Sequence, residues 1–257
     1  MAVINNNLVF YASSGMPIND TYRSGGEINS GIRVMFTDLD DSTTITTYSN
    51  DIRDQNTVLI SGWNNSQAVI GESIDVDGTG HTTGSSTFSG ILCAKLEHAT
   101  GTGTITISGT NENIVGRIPI RESGFQRPFY LATSVGGSDP KLLYEKIFLK
   151  NNKTSSTLSN AAVMSTGSVL ANIVGWGLEN GKSVFPSGDG VEESTANRVT
   201  APSNVSSFGS GHLISGVWPS GTGNLGPTAY QGIWLKATLP ADQIFNGVFD
   251  IKASGYA

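Results

Sequence analysis

The chain of 257 residues sets 15 Lys and Arg against 21 Asp and Glu, a net charge of −6. Only 14% of its residues are charged, against about 25% in an ordinary soluble domain. The acidic balance argues against a phosphate-backbone binder, which needs basic clusters. No apolar run reaches the ~18 residues of a membrane-spanning helix, and a single cysteine, Cys93, excludes an intrachain disulfide or a multi-cysteine metal site.

Residues 1–30 carry little periodicity and read as an extended N-terminal arm, packed on a neighbouring subunit or lying as an edge strand. Beyond them the dominant period is two. Strands are expected over 32–36, 43–48, 57–61, 72–76, 90–97, 104–108 and 113–118. In Thr104-Ile105-Thr106-Ile107-Ser108 the two isoleucines alternate with hydroxyls and so share one face of a half-buried strand, and Glu72-Ser73-Ile74-Asp75-Val76 alternates in the same way. The alternation breaks at 122–130, which marks a boundary, with 123–141 as a linker. Strands resume over 144–150, 157–164, 212–218, 233–239 and 248–253. In the run at 233–239, Ile233, Leu235, Ala237 and Leu239 point inward, Lys236 and Thr238 outward, and Trp234 needs cover from a neighbour.

Turn residues separate the runs at Asn64-Asn65-Ser66, Asp77-Gly78, Asn180-Gly181, Asp189-Gly190 and Asn246-Gly247. No segment of ten residues keeps an amphipathic helical pattern; the best short helix candidates are 160–164, which also lies in an expected strand, and 240–245. The expected fold is therefore all-β: two antiparallel β-sandwich or jelly-roll-like domains, 31–122 and 123–257, behind the arm.

Reactive constellations are scarce. His81, His98 and His212 stand in loops or at strand ends, outside any ligand spacing such as HExxH. No Gly-x-Ser-x-Gly elbow occurs, and Cys93 sits in the apolar run Ile91-Leu92-Cys93-Ala94 as a small hydrophobe. Gly221-Thr222-Gly223-Asn224-Leu225-Gly226 matches the dinucleotide fingerprint in letters only: prolines flank it and a strand, not a helix, follows. Asp75-Val76-Asp77-Gly78 lacks the acid that closes a calcium loop, and with Asp38-Leu39-Asp40-Asp41 it reads as a strand-end turn. Sequons at Asn19, Asn65, Asn152 and Asn204 follow from an Asn/Ser/Thr-rich composition. The expectation is a non-enzymatic chain with no catalytic, cofactor-binding or metal-ligating residue.

The order of segments carries more than any motif. Leu8-Val9-Phe10-Tyr11-Ala12 precedes Ser24-Gly25-Gly26-Glu27-Ile28, then Met35-Phe36-Thr37-Asp38-Leu39, Thr57-Val58-Leu59-Ile60-Ser61-Gly62-Trp63 and Val69–Gly78. Tyr144–Asn152, Thr157–Ala161, Asn197–Pro202 and Gln231–Pro240 follow in the second half. This pattern resembles the virion structural proteins of tailed bacteriophages. The resemblance implies a capsid-associated accessory, decoration or minor capsid protein, assembled into the virion in the host bacterial cytoplasm. Its implied partners are copies of itself, a trimer being the first expectation, and the major capsid protein or other virion proteins, with no nucleic acid and no membrane. A tail, neck or fibre protein, or a glycan-binding adhesion module, is the alternative. Phe125, Pro128, Phe129 and Tyr130 are the expected contact residues, because large apolar side chains cluster there outside a strand pattern.

Overall fold

The fold is taken from a computed structural model. It describes residues 8–16, 21–35, 38–98, 101–110, 113–129, 138–166, 174–179, 193–205, 207–210, 224–242 and 250–256. Every regular element among them is a strand, so the all-β expectation holds. In chain order the strands are β1 (Leu8–Gly15), β2 (Ser24–Val34), β3 (Thr43–Ser49), β4 (Gln55–Trp63), β5 (Val69–Asp77), β6 (Thr82–Phe88), β7 (Gly90–Leu96), β8 (Ile105–Gly109), β9 (Ile114–Ile118) and β10 (Gly124–Gln126). They continue as β11 (Lys141–Asn151), β12 (Ser159–Thr166), β13 (Val174–Leu178), β14 (Ser194–Thr195), β15 (Gly209–Ser210), β16 (Tyr230–Leu239) and β17 (Asp250–Tyr256).

The chain divides into two compact units. One is continuous, Ser30–Pro128; the other joins Met1–Asn29 to Phe129–Ala257. The division after Pro128 falls within the interval where the alternation breaks. The N-terminal stretch carries a strand, β1, whose partners lie in its own chain. In β1, Leu8 pairs with Asn151 and Ala12 with Ile147, so this strand lies between β11 and β2. The alternation Val9, Tyr11, buried on one face, is short enough to escape a periodicity search.

The continuous unit is a sandwich. One sheet runs β5-β4-β7-β10 and then the last residues of β2; the other runs β6-β3-β8-β9. The pairing of β10 with Ile32–Val34 is parallel, so the first sheet is mixed rather than purely antiparallel. Alternate residues of both sheets meet in one core: Val58, Ile60, Ile74, Val76 and Ile91 from the first, and Ile45, Phe88, Ile105 and Ile107 from the second. Ile105 and Ile107 share the buried face that their alternation requires.

In the discontinuous unit the order is β15-β13-β16-β11-β1 and the first residues of β2, with β14 added to β2. Strands β11 and β16 pair over ten residues, from Lys141 with Leu239 to Lys150 with Tyr230. Leu143 through Leu149 are all buried, so both faces of this sheet are covered. That explains why its long strands depart from strict alternation. Trp234 is fully buried, and the cover it needs comes partly from Gly25. Gly25 holds φ at +94°, and a Cβ there would fall 2.7 Å from the Trp234 ring. Strand β12 pairs with β17; residues 160–164 are therefore strand and not helix. The loop reading of 221–226 is met in its described part, where Leu225 bridges Leu158 just before β16. The expected strand at 212–218 lies outside the described residues.

Candidate functional site

Two places concentrate polar chemistry, one in each unit. In the sandwich, four loop segments surround an open concavity of about 580 Å³, lined by Asn50, Asp51 and Ile52, by Thr79, by 102–104 and by Ile120. Asp54, a buried carboxylate, fixes the turns. It accepts bonds from the Ser49 hydroxyl at 2.8 Å, the Thr102 N–H at 3.2 Å and the Gly103 N–H at 3.1 Å. The Thr104 N–H donates to Asn50 Oδ1 at 2.8 Å. The Arg53 guanidinium and backbone N–H bond to Asp51 and hold its carboxyl down at about 2. Ile52 and Ile120 are 74% and 53% exposed. Beyond the loops, the rings of Tyr48 and His81 stack at 4.1 Å. The result is a firm, shallow surface of hydroxyls and two apolar side chains.

The discontinuous unit encloses two ion pairs. Residues facing each other across paired strands share a face, so Lys146 lies with Trp234, and Phe148 with Gly232. The Glu179 N–H donates to the Gly232 carbonyl at 3.0 Å, which brings its side chain to the same face. Lys146 Nζ reaches Glu179 Oε1 at 2.8 Å and Oε2 at 2.7 Å, and neither side chain has any exposed surface. Nζ also lies 4.8 Å from the centre of the Phe148 ring and 5.9 Å from that of Trp234. Glu179 Oε1 further accepts from Asn204 Nδ2 at 2.9 Å and from the Glu193 N–H at 3.2 Å. The Glu193 carboxylate takes the Ser203 and Asn204 N–H groups, and Val205 bridges Glu179, so Asn204 is held in place from both sides. Gly232 gives the pair its room: a Cβ there would fall 2.2 Å from Glu179 Oε2.

On the neighbouring residue of β11, Glu145 forms a second sealed pair. Arg198 Nη2 approaches its Oε1 at 2.8 Å, with both side chains at zero exposure, and the Phe129 N–H donates to Oε2 at 2.6 Å. Consecutive charges in Leu142-Leu143-Tyr144-Glu145-Lys146-Ile147-Phe148 were legible as a signal. In a strand flanked by large apolar residues on both sides, neither charge has a polar face to occupy.

The expected contact residues lie elsewhere than a surface. Phe125, in β10, packs in the sandwich core and fills the space beside Gly116. Pro128 and Phe129 are also buried within the chain, while Tyr130 lies outside the described residues. The same large apolar side chains that suggested docking are used for internal packing. Among the described residues no group of three or more His, Cys, Asp or Glu is arranged to hold a metal ion. Asp75 and Asp77 instead accept bonds from Thr57 and Gln55 across the β4–β5 pair. His98 lies in a bend just past β7, and His212 lies outside the described residues. Comparison with protein-family models, with curated proteins and with solved structures finds no match.

Proposed function

We propose that this chain is a non-enzymatic structural component of a tailed-phage virion, a capsid-associated accessory or decoration protein. It would stabilise the particle through contacts with copies of itself and with the major capsid protein. The observation that carries the reading is the distribution of charge. Two carboxylate–cation pairs of the discontinuous unit have no exposed surface, so a diffusing substrate does not meet them. The sandwich presents hydroxyl-rich strands and a shallow concavity. Such a molecule acts by shape and contact, and an accessory protein that binds the assembled shell in preference to free subunits stabilises it by mass action. The order of strand and turn segments supports the phage assignment.

The test is cosedimentation of the purified protein with mature particles, followed by imaging of the decorated shell. The expected result is saturable binding at symmetry-related positions, with an oligomer, a trimer first, in solution. A monomer with no affinity for particles overturns the reading. The concavity favours one second reading, a glycan-binding adhesion module, because its threonine hydroxyls lie beside Ile52 and Ile120. Binding on a glycan array that is lost in Asn50→Ala would move the assignment there.

A further inference from the structure

We infer that Lys146 and Asn204 react to form an intramolecular isopeptide bond, with Glu179 as the proton carrier. This rests on the geometry of the discontinuous unit alone and stands or falls independently of the virion reading.

Three groups meet at one oxygen. Lys146 Nζ lies 2.8 Å and Asn204 Nδ2 2.9 Å from Glu179 Oε1. The amine and the carboxamide are therefore neighbours, bridged by the carboxylate. Lys146 and Glu179 have no exposed surface, and the Phe148 and Trp234 rings lie over Nζ. Asn204 Oδ1 is buried with no hydrogen-bond partner among the described residues. A buried, unpartnered carbonyl oxygen is costly, and a carboxylate has no proton to offer it. A protonated Glu179 does, once the carboxamide turns to present Oδ1. Proton transfer from Lys146 to Glu179 also removes two buried charges at once. The same transfer thus yields a neutral amine, the nucleophilic form of lysine, and an acid that polarises the amide.

The reaction balances without any added reagent. The Nζ lone pair attacks Cγ of Asn204, and the C=O π pair moves onto Oδ1. Glu179 gives its proton to Nδ2 and takes one from Nζ. The carbonyl re-forms, the Cγ–Nδ2 bond breaks, and ammonia departs, leaving as ammonium with the proton Glu179 holds. Nothing is oxidised or reduced: an ammonium and a carboxamide become a secondary amide and an ammonium ion. Prepositioning replaces an intermolecular encounter with an intramolecular one. Glu193 fixes Asn204 by the backbone, and Gly232 admits the Glu179 carboxylate against the strand.

Intact-mass measurement of the denatured full chain tests this directly. The expected result is a mass below the sequence mass by one ammonia, about 17 Da. A tryptic digest should contain a branched peptide joining the segments that carry Lys146 and Asn204, with no cleavage after Lys146. Glu179→Gln and Lys146→Arg should stay at full mass, whereas Asn204→Asp, losing water in place of ammonia, should end at the wild-type mass. Wild-type protein at its full sequence mass, with the peptide ending at Lys146 recovered, overturns the inference whether or not any variant folds. So does an ammonia loss without the branched peptide, as a succinimide would give. A crosslink that persists in Glu179→Gln overturns the role given to Glu179.

Discussion

Single side chains in this molecule are held to tight tolerances where charge is buried. Replacing Gly232 by alanine sets a methyl 2.2 Å from Glu179 Oε2 and 2.9 Å from Lys146 Cε, and both neighbours are fixed. Gly232→Ala should cost about 3 kcal/mol, read as a fall in the urea midpoint, because overpacking cannot relax there. Arg198→Ala strands Glu145 in an interior it cannot leave. A loss of about 3–5 kcal/mol is expected, whereas an Ala substitution at the exposed Arg53–Asp51 pair should change the midpoint hardly at all. Cys93 illustrates the converse, a residue whose role was plain from its neighbours. Burial pushes its thiol up, against smaller opposing effects of Lys95 and Ser61. Native protein should therefore react with iodoacetamide far more slowly than urea-unfolded protein, a difference that quantitative mass labelling will show.

Strands differ in how they hold their place. β6 alternates intermediate and exposed positions and buries a large side chain only at Phe88. Phe88→Ala should therefore cost about 3–5 kcal/mol. The register of β6 against β3 shifts between Thr44 and Thr46. At that irregularity Glu72, from β5, accepts the N–H groups of Ser85 at 2.6 Å and Ser86 at 3.0 Å. Partial burial raises the Glu72 carboxyl, but the Ser85 and Ser86 N–H and hydroxyl groups outweigh it, so the net shift is downward from 4.5. A carboxyl depressed on folding contributes stability that is complete above its unfolded value and is lost as pH falls through its folded value. Urea midpoints measured from pH 6 downward should therefore fall less steeply in Glu72→Gln than in wild type. The same strands show what a sequence can reveal. β3 and β8 were legible because their apolar residues alternate with hydroxyls, and β9 because it is rich in branched apolar residues. β6 was not, since Thr82-Thr83-Gly84-Ser85-Ser86-Thr87 has no apolar period and is ordered by its pairing and by Glu72. β13 was missed because Val174-Gly175-Trp176-Gly177-Leu178 reads as loop composition; its glycines lie against the backbone of Gly209 and Ser207.

At the scale of the whole chain, composition and period two pointed to an all-β protein. What they could not reveal was that the N-terminal stretch belongs with the C-terminal half, because pairing between residues more than a hundred positions apart leaves no local trace. The partners of the consecutive charges Glu145 and Lys146 were hidden for the same reason. Lys146, Glu179 and Asn204 come from three separated segments, and each alone is an ordinary residue. The unit boundaries predict that limited proteolysis under native conditions yields a resistant fragment close to 30–128, identifiable by mass; cleavage spread through that interval would argue against it.

The interrupted unit also sets an order of events at the ribosome. β1 leaves the exit tunnel before the inserted sandwich, and β11, against which Leu8–Ala12 pair, is translated more than a hundred residues later. At roughly 5–20 residues per second the edge of the nascent strand that β11 will cover waits on the order of ten seconds, while β2 is at hand for the other edge. The inserted sandwich is complete in that interval and can close first. Until translation reaches β11, the waiting strand is an open template for any other polypeptide, which makes growth temperature and chaperone supply the conditions to watch when the protein is expressed.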